Sequence, residues 1–433
     1  MMHHHRRAPA TLLSGLVLCA AASAQTSGAE ALLDGAKAGF DARTFYMNVE
    51  DKSSPPAVAR REAWAIGGKL YGRTGWWADT LQFGASYYLS APLYGPDDKD
   101  GTLLLEPGQN TISTLGELFA RLKFGEAGLT AGRQEIELSP VRPEGTRANR
   151  GDGTFVGKQD NRMVPVTYEA VLGSAKVAQA WDFHLGWVNR VKPRNLSEFQ
   201  SVGSAVGAAT SDADMWFGGA QFALTKDFLL QGWYYQVPDV IRIGWLDGDY
   251  VWRLDGSSHL RFAAQYADQR SDGSNLLTGQ SFSTSTAQAY AEYGAGMLTL
   301  YGAYSRTDSG AALRLPFSSG PIYTNQIMRT FVRANESAWQ LGAGFNLAQW
   351  MPGLSAYADV TRGSDAINSS NGAALADATE YDLGVLWVYR EKGSWIDGLR
   401  SRVRYAWTID ATAVGDQRSK DLRIDLNLPI SLL

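Results

Sequence analysis

The chain predicts an all-β fold, a transmembrane antiparallel barrel of about 18 strands, and three observations carry that reading. Short segments with strict apolar/polar alternation recur along its length. After the amino-terminal leader no apolar run reaches the roughly 18 residues that a membrane-crossing helix needs. The polar face of the closing strands carries a row of arginines. A period of two puts alternate side chains on opposite faces of a strand, so every segment has two unlike sides. In a soluble sandwich the apolar side points inward and the arginines meet bulk water; in a membrane barrel the apolar side meets lipid and the arginines line the lumen.

Residues 1–24 read as a secretory signal peptide. Arg6 and Arg7 give a basic start, an apolar run extends from Leu12 to Ala22, and Ala22-Ser23-Ala24 is a small-x-small cleavage site. The run is too short to span a membrane. Cys19 closes Leu16-Val17-Leu18-Cys19, but Leu18 is too bulky for the position before a lipidated cysteine. Cleavage removes the one cysteine, and loss of Arg6 and Arg7 moves the net charge from −4 to −6. Without cysteine, an exported chain relies on a closed hydrogen-bond network rather than on disulfides. A mildly acidic chain is a poor candidate for nucleic-acid binding.

Residues 25–433 have uniform texture and read as one barrel domain. TLQFGASYYLS (80–90) sets Leu81, Phe83, Ala85, Tyr87 and Leu89 against Gln82, Gly84, Ser86, Tyr88 and Ser90. AWDFHLGWVN, HLRFAAQYADQ and ESAWQLGAGFNLA follow the same rule. Strand candidates fall near residues 40, 64, 81, 117, 129, 168, 181, 216, 229, 241, 260, 287, 298, 339, 354, 381, 399 and 422. Trp76, Trp77, Trp233, Tyr234, Tyr235, Trp245 and Trp252 lie near segment ends, where a bilayer barrel carries aromatic girdles. The abundance of glycine in alternating strands suits a wet interior better than a dry core. Two long interruptions, 136–163 and 307–335, are the candidates for functional loops, and in a barrel such loops can fold inward to narrow the lumen.

In LRSRVRYAWTI, Arg400, Arg402 and Arg404 share one face; in DLRIDLNLPISLL, Arg423, Asp425 and Asn427 do. Successive side chains on one face lie about 6.5 to 7 Å apart, so a carboxylate can pass from one guanidinium fork to the next. The competing reading is a set of structural ion pairs with Asp425, Asp382 or Glu380. The choice stays equally open for Arg121, Lys123 and Arg261. Asp247-Gly248-Asp249 lacks the rest of a calcium loop, and no metal or cofactor is expected.

These residues resemble the OprD family of substrate-specific outer-membrane porins. The likeness rests on Gly132-Arg133-Gln134, QDNRMVPVTYEAV (159–171), PGLSAYADVTRGSD (352–365), and the closing RVRYAW (402–407) with DLRIDLNLPISLL. It implies an 18-stranded barrel of the bacterial outer membrane with inward-folded third and seventh loops, passing small carboxylate-bearing solutes along a basic ladder. Arg402, Arg404 and Arg423, with Arg400 beside them, match the ladder. Arg162 matches a constriction arginine, with Asp160 flanking it in the third loop; Ser319 and Tyr323 are the candidates in the seventh. Leu386 and Trp387 stand where some members carry a ladder lysine. The resemblance places the chain among outer-membrane lipid, and monomer and homotrimer both remain open.

Two other classes compete with passive, substrate-selective diffusion. A barrel enzyme is hard to assemble, because only His184 and His259 survive cleavage and no serine sits in a G-x-S-x-G elbow. A non-conducting structural barrel is opposed by the polar, glycine-rich inner face and the arginine row.

Overall fold

Alternation along each strand curls one sheet into a closed ring. A computed structural model describes residues 28–138, 153–317 and 320–433. The proposed cleavage site after Ala24, and Ser319, lie outside the described residues.

Five strands open the ring: β1 (Lys37–Glu50), β2 (Arg60–Arg73), β3 (Leu81–Tyr94), β4 (Ile112–Phe124) and β5 (Ala127–Gln134). β6 (Thr167–Val177) and β7 (Trp181–Lys192) follow, then β8 (Gln200–Ser201), a two-residue strand that pairs with Arg190 and Val191. Next come β9 (Met215–Thr225), β10 (Phe228–Val237), β11 (Ile241–Arg253), β12 (Ser258–Ser271), β13 (Ser283–Ala295) and β14 (Leu298–Thr307). β15 (Ser337–Asn346), β16 (Leu354–Ser364), β17 (Asp377–Val388), β18 (Arg400–Thr412) and β19 (Gly415–Ser431) complete it. Setting β8 aside, 18 of the 19 strands among the described residues form the barrel wall. β1 pairs with β2 on one side and with β19 on the other, from Gly39 opposite Ser431 to Glu50 opposite Lys420. Closure satisfies the backbone of both terminal strands, which is what a sheet in hydrocarbon requires.

The outer face is apolar. On β3, Phe83, Tyr87 and Leu89 are exposed while Ser86, Tyr88 and Ser90 are buried. Trp339 and Leu341 on β15 likewise face out, and Gln340 faces in. Long connections gather at one end (among them 51–59, 95–111, 135–166, 193–214 and 308–336), and short turns such as 125–126 and 226–227 at the other.

The interior corrects the expectation of a uniformly wet lumen. The described parts of the connections 135–166 and 308–336 drop into the barrel and pack Phe155, Val156, Phe317 and Ile322 against Tyr168, Phe217, Trp233, Tyr235 and Trp245. Phe155 sits edge-on to Tyr235 and Trp245, with ring centroids 5.9 and 6.4 Å apart. Trp233, Tyr235 and Trp245 therefore belong to a dry internal core and not to a girdle. Parity explains it: Tyr234 between two inward neighbours is exposed, as is Trp252. A second apolar cluster holds Met163 and Val164 against Phe45, Met47 and Tyr88. Among the spaces left open is a cavity of about 1310 Å³ lined by the two loops, by Arg194 and Ala205, and by β14 to β19.

Candidate functional site

The pairing of β16 to β19 and β1 sets the site out in rows. One row across the wall is Tyr357, Gly384, Arg404, Arg423 and Met47; the next is Ser355, Leu386, Arg402, Asp425 and Phe45; the third includes Val388, Arg400, Asn427 and Arg43. Antiparallel partners share a face, so the three arginines of β18 stand in a file beside Arg423.

Among the described residues their counter-charges are few. Asp425 receives Arg402 Nε at 2.9 Å and lies 3.6 Å from Arg404 Nη2 and 3.5 Å from Arg400 Nη2. One carboxylate thus serves three guanidinium groups. Arg423 donates to Asp421 through Nε (3.0 and 3.1 Å) and Nη2 (2.6 Å), and Nη2 also reaches the Ile327 carbonyl at 3.1 Å. Arg404 has the most to offer: its Nε and Nη2, and the Nε of Arg400, are buried and have no hydrogen-bond acceptor among the described residues.

Asp382 and Glu380 are the other two carboxylates that the ion-pair reading named. They hold the loop 308–336: Glu380 accepts the N–H groups of Met328 (2.7 Å) and Arg329 (2.8 Å), and Asp382 accepts that of Ile327 (3.1 Å). Gln326 donates to Asp359 at 2.7 Å. Tyr323 is fully buried, its hydroxyl donating to Asp247 at 2.8 Å and its N–H to Gln288 at 2.8 Å. It anchors the loop and does not line the cavity.

The loop 135–166 brings Arg162 to the arginine file. Arg162 is 8% exposed, donates Nε to the Thr102 carbonyl and Nη1 to the Asn161 carbonyl, both at 3.0 Å, and lines the same cavity as Arg402, Arg404 and Arg423. Arg194, from the connection 193–214, joins them and donates to Asn161 Oδ1 at 2.6 Å. Burial, then the charges of Arg423 and Arg194, push the Arg162 guanidinium well below its ordinary pKa. Burial and then Arg423 bring Arg194 down to about 10, and it stays cationic at neutral pH.

Arg43 fastens this loop to the wall. Its Nη groups grip the carboxylate of Asp160 and the carbonyls of Arg162 and Met163, and Nε donates to Asn427. Burial raises the Asp160 carboxyl, but the hydrogen bond and charge of Arg43 outweigh it and hold the group below its ordinary value. Arg261 is buried against Asp249 at 2.7 Å, Arg121 stacks on Phe119 and Lys123 on Trp76; none of the three lines the arginine cavity.

The family model described as "outer membrane porin, OprD family" matches residues 30–432. The chain belongs to the OprD family. As an OprD-family porin it is a β-barrel of the bacterial outer membrane, and the fold and family are those of channels rather than enzymes. Its fold is similar to that of Pseudomonas aeruginosa OccK9 (OpdG), with 21% identity, TM-score 0.79, and coverage of 93% of this chain and 100% of that one. P. aeruginosa OpdK, solved with vanillate, gives 18% identity, TM-score 0.77, and coverage of 92% and 100%. P. aeruginosa OccK2 (OpdF), solved in complex with glucuronate, gives 20%, 0.75, 93% and 100%. No curated protein sequence matches the chain.

In this OprD-family chain, Arg43 and Arg194 escape sequence reading for different reasons. The inward set of β1 mixes Asp41 and Arg43 with the buried Phe45 and Met47, which blurs its polarity. Arg194 lies past the end of β7, where only the loop's path brings it inward. The one signal in the sequence is the Lys192-Pro193-Arg194 run closing an otherwise apolar strand.

Proposed function

We propose that this porin conducts small carboxylate-bearing solutes, using the wall formed by Arg402, Arg404 and Arg423, with Arg162 and Arg194 above it, as the selective surface. Arg404 carries the argument. Two buried donors without acceptors among the described residues, in a cavity shared with five other guanidinium groups, are a costly arrangement for an empty protein and a favourable one when a carboxylate accepts from them. Arg400 extends the file by one row toward the short-turn end.

The magnitudes suit transport. A carboxylate about 4 Å from a guanidinium gains roughly 1 kcal/mol in bulk water and roughly 4 at an effective dielectric of 20. A half-wet wall lies between, enough to attract a solute and little enough to release it. Vanillate and glucuronate, found with OpdK and OccK2, both carry a carboxylate, which supports the same class here.

Reversal potentials in planar bilayers under a salt gradient test the reading. The channel should prefer organic anions to potassium. Cation selectivity in a correctly inserted channel would falsify it.

A further inference from the structure

We infer that the outer face where β1 closes onto β19 docks a phosphate-bearing lipid of the outer leaflet, held by Lys52, Arg60, Arg418 and Lys420 above the rings of Trp407 and Tyr381. This surface faces away from the lumen, so the inference does not depend on which solute the channel carries.

The outward set of β19 changes character at one point. Leu422, Ile424, Leu426, Leu428 and Ile430 are all apolar, and the next two positions on that face, Lys420 and Arg418, are cationic. Asp421, Arg423 and Asp425, which alternate with them, are buried on the other side of the wall. From Leu422 to Ile430 the strand advances about 3.4 Å per residue at a tilt of about 40°, so its apolar stretch covers roughly 20 Å of barrel height. That is close to the height of a hydrocarbon belt. Lys420 therefore marks the edge of the belt on the side of the long connections, which in a bilayer barrel is the outer side.

Register widens this edge into a patch. Glu50 is the cross-strand partner of both Lys420 and Arg60, and Lys420 is also opposite Trp407, which pairs with Tyr381. Trp407 and Tyr381 stack with ring centroids 5.0 Å apart, at the level where a bilayer barrel carries aromatic rings. Lys52 and Lys420 are more than half exposed and share Glu50, at 4.0 and 3.5 Å. Arg60 and Arg418 are exposed, and their side chains have no acceptor among the described residues. Asp416, two positions beyond Arg418, is the other acid on this face. Four cations thus stand against two carboxylates. Nearby charges on the same side of the barrel are matched in pairs: Lys99 holds Glu62 at 2.6 Å, Arg270 holds Asp268 at 2.9 Å and Arg133 holds Glu169 at 2.9 Å.

Surplus positive charge at the edge of a lipid belt fits an anion at the same depth. Guanidinium forks take phosphate oxygens in paired hydrogen bonds and ammonium groups take them as point charges, while the apolar wall below Lys420 receives the chains of the same molecule. Basic clusters beside a membrane surface recognise anionic headgroups in this way. A second copy of the barrel set against this face by a two-fold axis would oppose like charge to like.

Native mass spectrometry of the folded barrel, in detergent with a chelator present, can follow titration with diphosphoryl lipid A and with its dephosphorylated form. The phosphorylated lipid should bind about tenfold more tightly. Lys420→Gln combined with Arg418→Gln should weaken its binding about tenfold, whereas Lys420→Arg combined with Arg418→Lys should retain it. Arg133→Gln with Arg270→Gln should leave it unchanged, and heat-modifiable gel mobility checks that each variant is a folded barrel. Equal affinity for the two lipids, no loss in the Lys420→Gln, Arg418→Gln protein, or an equal loss in the Arg133→Gln, Arg270→Gln protein overturns the inference. So does a complex of two barrels that the Lys420→Gln, Arg418→Gln change abolishes, because the patch would then serve a second copy.

Discussion

Arg404 on β18 and Arg423 on β19 are direct cross-strand partners, like charges where a sheet ordinarily avoids them. The pair persists because the two guanidinium groups turn to different carboxylates. Arg423 is clamped by Asp421 at 2.6 Å, whereas among the described residues Arg404 has only Asp425 at 3.6 Å, already shared with Arg402 and Arg400. One member of the pair is thus fixed in the wall and the other is left with donors to offer.

Replacing Arg402 and Arg404 together by alanine should reduce permeation of a small carboxylate about tenfold, equivalent to roughly 1.4 kcal/mol, while a neutral pentose is almost unaffected. Liposome-swelling rates for the two solutes measure this. Parallel loss of both would signal damage to the barrel instead. Raised ionic strength should shrink the carboxylate preference, because charges in a wet pore are screened over about 8 Å at physiological salt.

Asp425→Asn removes the carboxylate shared by three arginines and should raise anion-over-cation selectivity. Asp421→Asn should do so less, since it frees only Arg423, which keeps its bond to the Ile327 carbonyl. Reversal potentials order the two variants, and the reverse order would contradict the unequal sharing described here.

Arg43→Ala should detach the loop 135–166 from β1 and widen the lumen, seen as a higher and noisier single-channel conductance. The Asp160 carboxylate is exposed although Arg43 is largely buried, so the ion pair itself contributes about 1 kcal/mol or less; the loss falls on loop anchorage, and heat-modifiable mobility of the barrel should survive. Unchanged conductance would show that the apolar packing of Met163 and Val164 holds the loop without Arg43.

The pH response follows from Asp160 in that loop and Asp51 beyond β1. In Asp160 burial opposes ionisation but Arg43 prevails; in Asp51 burial again opposes it and the hydrogen bond and charge of Arg329 prevail, so both carboxyls titrate below the ordinary value of 3.8. A depressed folded pKa contributes stability that is complete above the unfolded value and is lost as pH falls through the folded one. Loop-dependent conductance should therefore stay level from neutral pH down to about 4 and change only in stronger acid. A transition near pH 6 in single-channel recordings would point to other groups.

Period-two alternation makes the barrel legible in the sequence, because lipid and lumen make opposite demands on adjacent residues of every strand. Each of the 18 segment positions read from the sequence falls within or beside an observed strand. Parity alone also puts Arg400, Arg402 and Arg404 on one face of their strand, with Arg423 on the polar face of the next. The loops obey no such period. That Glu380 and Asp382 accept backbone N–H groups of the loop 308–336, that Arg43 and Arg194 join the site, and that Trp233, Tyr235 and Trp245 form a dry core were decided by where two long connections settle inside the ring. Those contacts join residues remote in the chain, such as Arg43 and Asp160 or Glu380 and Met328, and only closure of the barrel brings them together.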